Sequence, residues 1–220
     1  MSHHENGSNG HHSEPPAPRA ETLALRAGQK PDPAKQRVAA LVAEGDAVLR
    51  VNVDTAIEKY IAALEIEPTS VQALLKLSLA CEKKQDWQRV AEALARVTLL
   101  EPNVAAHWHG RGNALVELAR EGGGDYEAAR EPLTRCVKLN PKLADCAFLL
   151  GEVEEWAEHG QIAAERYTQA VQLDAGQARY YRALAALYRV FKQPGEQERV
   201  LTAGMARVEP TAKNQPLLSR

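Results

Sequence analysis

Histidines, cysteines, a glycine run and clustered arginines are the residues of this chain that could do chemistry. His107 and His109 in "HWHG" invite a metal reading. On a helix, two positions amount to about 200° of rotation, so the imidazoles point to opposite faces, whereas metal pairs sit four apart. His3, His4, His11 and His12 form a loose tract that fits a polar tail better than a metal site. Cys81, Cys136 and Cys146 are odd in number and lack CxxC spacing, so neither a disulfide framework nor zinc is expected. Cys81 and Cys136 fall at positions that equivalent stretches of the chain fill with Leu, Tyr, Ala or Val, which is how a core thiol looks. "EGGGD", Glu121 to Asp125, lacks the GxxxxGK[ST] ending of a phosphate cradle and is expected to form an exposed loop. With no catalytic order of Ser, His and Asp either, no enzyme, metal or cofactor is expected.

The elements that hold these residues emerge from a period. "ALEIEP", "VTLLEP" and "CVKLNP" end at Pro68, Pro102 and Pro141, and "AVQLDA" and "MARVEP" end at Ala175 and Pro210. The spacing is about 34 residues, widened once by "AREGGGDY", and a fixed period of that size marks a helix-turn-helix array. Each period divides into two amphipathic helices. In the third, Trp108, Leu115 and Leu118 give bulk on Ala105 to Ala119, and Ala129, Leu133, Cys136 and Val137 recur at helical spacing on Tyr126 to Leu139. Pro132 should bend that second helix or shorten its start.

Arg111-Gly112, Leu150-Gly151 and Leu184-Ala185 on first helices, with Ala56, Tyr60, Ala63, Ala163, Tyr167 and Ala170 on second helices, make the chain resemble the tetratricopeptide repeat family. Glu154 and Gln197 depart from the pattern. The resemblance implies an all-α, right-handed solenoid of about five repeats, over 36–68, 71–102, 105–141, 144–175 and 178–210. These make one domain from 34 to 210, behind a disordered tail at 1–33 and ahead of a C-terminal tail at 211–220. A short helix over Ala20 to Gly28 is the rival reading within the first tail.

The resemblance also implies a groove lined by first helices that binds a protein or peptide. Leu75 and Leu79, His109 and Asn113, Phe148 and Trp156, and Arg179, Arg182 and Arg189 occupy groove positions in repeats two to five. The arginines share one helical face suited to carboxylates. An internal alternative stands beside this, in which Glu152 and Glu155 neutralise them. The carboxylate clamp of one chaperone-binding subclass is absent, because Val42 and Asp46 stand at its first positions.

A net charge of -2 gives no case for nucleic acid, and no apolar run approaches the roughly 18 residues of a membrane span. A cytoplasmic adaptor, scaffold or assembly factor is the expectation. A homo-oligomer assembling through its repeat ends is the second reading, and an enzyme or regulatory subunit with an unrecognised site the third.

Overall fold

The computed structural model describes residues 32–208. The expected tails, apart from Asp32 and Pro33, and the Ala20 to Gly28 helix lie outside the described residues. Among the described residues ten helices follow one another: α1 (Pro33–Val48), α2 (Val53–Ile66), α3 (Val71–Lys83), α4 (Trp87–Leu100), α5 (Ala105–Arg120), α6 (Glu127–Leu139), α7 (Ala144–Trp156), α8 (Gly160–Leu173), α9 (Ala178–Val190) and α10 (Pro194–Arg207). No strand occurs among the described residues.

Local chemistry explains where these helices start and stop. Asp32, Asn52, Ser70 and Asp86 accept hydrogen bonds from backbone N–H groups in the first turns of α1 to α4, each satisfying an otherwise orphaned donor. Glu67, Glu101 and Asn140 end α2, α4 and α6 in extended conformations, as the residue before a proline prefers. Asp174 adopts nearly the same geometry before Ala175, where the proline is missing, and its carboxylate accepts from the Gly176 N–H at 3.0 Å. Pro132 lies inside α6, which is one residue shorter than α2, α4 and α8.

Three turns between the helices of a repeat place a side-chain-bearing residue in the left-handed region: Gln85, Glu158 and Lys192, with φ of 57°, 62° and 57°. They occupy one repeat position. The third repeat solves the same turn with Gly122 at φ 78°, inside an exposed loop formed by Glu121 to Asp125.

Each helix packs on the next, and α1 also meets α3 as α5 meets α7, so the first helices of successive repeats line a common face. Within a repeat the helices cross at a missing side chain. A Cβ on Gly45 would lie 2.5 Å from the Tyr60 ring, and one on Gly151 would lie 2.6 Å from the Tyr167 ring. The interior falls into two main clusters that meet at α5. Ala114 joins the first, built on Leu41, Tyr60, Leu74 and Leu94, and Val116 joins the second, built on Phe148, Leu150, Tyr167 and Tyr180.

Two details correct the sequence reading. Cys136 is buried as expected, but it is disulfide-bonded to Cys146 across the turn between α6 and α7. The two cysteines are 10 positions apart in sequence, and their Cα atoms are 6.2 Å apart, inside the range a disulfide spans. Glu154, which departs from the repeat pattern, is a buried carboxylate, 6% exposed, and Arg130 and His159 both bond to it. A buried charge is tolerable when paired in this way.

Candidate functional site

The common face of α3, α5, α7 and α9 carries the expected groove residues, but they do not present themselves alike. Leu75 is half-buried against the first core cluster, and Leu79 remains 43% exposed. Phe148 is buried, its ring 5.5 Å from that of Tyr167 and 4.9 Å from that of Tyr180, so it serves packing between the last two repeats. Trp156 is 61% exposed and stacks on Tyr126 with centroids 5.3 Å apart. Asn113 is half-buried at the centre of the face.

Acids along the face are held by neighbours from adjoining elements. Asp46 accepts from the Tyr60 hydroxyl at 2.7 Å and pairs with Lys76 at 2.8 Å. Burial alone would raise its carboxyl, yet these two partners outweigh it and hold it below the usual carboxylate range. Asp145 binds Arg179 and the Tyr180 hydroxyl, which likewise overcome burial and keep it ionised. Arg179 also lies 5.0 Å over the Phe148 ring and 5.3 Å over that of Tyr180. Arg120 reaches both oxygens of Glu152 at 2.6 Å and pairs with Glu117. Burial still dominates at Glu152 and pushes its carboxyl upward. Glu155 accepts from the Tyr167 hydroxyl at 2.6 Å.

The internal alternative for the arginines thus holds for Arg179, through an acid other than Glu152 or Glu155. Arg120 takes Glu152 and Tyr167 takes Glu155, while Asp145 takes Arg179. Arg182 and Arg189 are exposed and have no side-chain partner among the described residues. Exposed Val190, at 68%, adjoins Arg189 in the chain. Sequence reasoning missed Asp145 and Arg120 as the groups that decide which charges are free. A signal existed for the first: Asp145 and Arg179 are opposite charges one full repeat apart.

The remaining candidates for chemistry have structural roles. His107 Nε2 lies 2.8 Å from Glu101, and His109 Nε2 lies 3.9 Å from Asp145 on the other side of α5. Burial pushes the His109 imidazole down, against the opposing pull of Asp145. Among the described residues no cluster of three or more metal-ligating side chains occurs. Cys81 is a buried free thiol pushed up to about 11, by burial first and Asp86 second, which is the opposite of nucleophilic activation.

No family model and no curated protein matches the sequence. Solved structures do match in shape. A MamA fragment from Desulfovibrio magneticus RS-1 superposes with a TM-score of 0.70 at 18% identity, covering 84% of this chain and 98% of that one. YrrB, described as a TPR protein with an unusual peptide-binding site, superposes at 0.66 with 16% identity, covering 90% and 95%. A thermophilic TPR protein of Thermus thermophilus superposes at 0.57 with 21% identity, covering 82% and 95%. Identities this low speak to architecture, and together with the helix pairing they establish that this chain has the tetratricopeptide-repeat fold.

Proposed function

We propose that the chain is a protein-interaction module, an adaptor, scaffold or assembly factor, that holds an extended segment of another protein along the face of α3, α5, α7 and α9. One observation carries the reading. The acids Asp46, Asp145, Glu152 and Glu155 are engaged from within the fold, whereas Arg182 and Arg189 project from α9 without a partner among the described residues. Guanidinium groups left in this state suit carboxylates, which they bind bidentately. Exposed Trp156 on α7 and Val190 on α9 supply apolar surface, and Leu79, His109 and Asn113 extend the face toward the N-terminal repeats. The partner segment is acidic and bears at least one large apolar side chain. YrrB supports the reading by likeness of fold, since a peptide-binding site is ascribed to that protein. No catalytic role belongs to it.

Affinity capture with the intact chain, compared with the Arg182→Ala/Arg189→Ala double variant, tests it. The captured partner should bind the variant at least tenfold more weakly, a change of about 1.4 kcal/mol, and the loss should shrink as salt rises. Equal affinity at low salt, with the helical content intact, would remove the arginines from the site.

Compartment enters through the disulfide. No helix among the described residues is long and apolar enough to cross a membrane. Composition favours the cytoplasm, but the Cys136–Cys146 bond weighs against it, because disulfides persist mainly in oxidising compartments. Rapid alkylation of cells followed by mass spectrometry of the 136–146 region distinguishes the two.

A further inference from the structure

A pocket of about 520 Å³ opens between α8 and the end of α9, lined by Gln161, Ala164, Glu165, Tyr188, Phe191 and Gln193. Its meaning comes from the same place one repeat earlier. Glu127, Arg130 and Glu131 of α6 stand 34 residues before Gln161, Ala164 and Glu165, and Glu154 stands 34 before Tyr188. There a smaller pocket of about 370 Å³ opens beside Glu127, Arg130 and Glu131, and an arginine of the chain itself spans the junction. Arg130 crosses from α6 to Glu154 on α7 and bonds Glu127 at 2.6 Å on the way. The first junction also places a cation between repeats, with Lys84 at the end of α3 reaching Asp54 at the start of α2.

At the last junction the cation is missing. Ala164 replaces the arginine, while Glu165 keeps the carboxylate of Glu131 and has no partner among the described residues. Two rings replace the rest of the charged set. Tyr188 takes the place of Glu154 and Phe191 that of Ala157, with ring centroids 6.4 Å apart and planes at 73°. Phe191 lies down against α8 because Gly160 leaves room; a Cβ there would sit 2.7 Å from the ring. The last turn of α9, the negative end of its dipole, borders the pocket, and the positive start of α8 opposes it, so Glu165 decides the sign.

We propose that this pocket binds an arginine side chain presented by a protein partner, supplying Glu165 with the cation that its counterpart Glu131 receives from Arg111. A guanidinium plane stacks on aromatic faces while its edge donates to a carboxylate. The side-chain carbonyls of Gln161 and Gln193 can accept its remaining N–H groups. A divalent metal would need several oxygen ligands around it, and Glu165 is the only acid lining the pocket. An anion would meet that carboxylate. The site is separate from the groove reading, since none of its residues enters that argument, and either proposal can fail alone.

The test is titration of the isotope-labelled full chain with Nα-acetyl-arginine amide, followed by amide resonances. Nα-acetyl-citrulline amide, of the same shape without the charge, is the control. Saturable shifts are expected at 160–166 and 187–193, with citrulline binding at least tenfold more weakly. Glu165→Gln should weaken arginine binding at least fivefold, and the residue is exposed, so the fold is not at stake. Ala164→Arg should abolish binding by filling the pocket with the chain's own guanidinium. Shifts scattered over the acidic surface, equal binding of citrulline, or unchanged binding in both variants would each overturn the assignment.

Discussion

The two halves of the solenoid reach one architecture by different chemistry. In α1 to α4 every helix begins with a side-chain cap, and the buried core around Leu41, Leu74 and Leu94 contains one aromatic ring, that of Tyr60. None of the six later helices has a side-chain bond from its N-cap residue. That half relies on contacts that cross between repeats: the tilted Phe148–Tyr180 ring pair, the Arg130 bond to the buried Glu154 carboxylate and the Cys136–Cys146 bond. Capping stabilises a helix by itself, whereas a cross-repeat contact stabilises it only while its neighbour is in place. The C-terminal half should therefore fail more cooperatively, and at fewer residues.

Removing the cation at equivalent junctions gives the largest contrast. Glu154 has an 8% exposed side chain and Arg130 a 28% exposed one, while Lys84 and Asp54 are 44% and 70% exposed. Arg130→Ala leaves a buried carboxylate with His159 alone and should cost about 3 kcal/mol. Lys84→Ala should cost no more than about 1 kcal/mol. Denaturant melts of the two variants check the pair, and similar costs would break the comparison. Arg130→Met with Glu154→Leu should recover most of the loss, since removing both charges ends the desolvation cost.

The disulfide comes next. Reduction of the intact protein, or Cys146→Ala, should lower stability by about 2–4 kcal/mol if the bond acts chiefly on the unfolded chain. Hydrogen exchange should then rise in α6 and α7 and stay unchanged in α1 to α4. Exchange that rises equally in both halves would mean that the repeats unfold as one unit.

Much of the fold was legible because a repeat states its rule several times over. Pro68, Pro102 and Pro141 recur for one backbone reason, the extended conformation required just before them. Gly151 opposite Tyr167 is likewise readable as a small residue beneath a large one. The departures were not. Glu154 breaks the pattern in sequence, and only the placement of Arg130 24 residues away shows how its charge is tolerated. The cysteines hid for a similar reason. Cys136 occupies a core position that any small apolar residue could fill, so its pairing depends on where the next helix begins. At the groove, the period located the face, but which charges stay free depends on side chains from outside the groove positions, Arg120 above all.

The smallest effect concerns pH and again separates the halves, because the described histidines, His107, His109 and His159, all lie beyond α4. His109 is the informative one. Its side chain is 28% exposed on α5, with Asp145 of α7 3.9 Å away, and Arg179 of α9 and Glu82 of α3 add weaker fields of opposite sign. Burial dominates and sets its pKa below the ordinary value of 6.5. The folded protein thus prefers the neutral ring, so this contribution to stability is fully present above 6.5 and is lost as pH falls through the folded value. Asp145 is displaced downward too, but its contribution is lost only below the ordinary 3.8 of an aspartate, outside the window that matters here. Glu152 works the other way. Its raised carboxyl favours the fold as acid protonates it, which opposes His109 toward the acid end and leaves the clean window just below the ordinary 6.5 of the imidazole. Over that window amide exchange should quicken in α5, α7 and α9 relative to α1 to α4. His109→Gln keeps a polar group that cannot take a proton there and should remove the His109 share of the slope. A slope of the same size in the variant would remove His109 as its source.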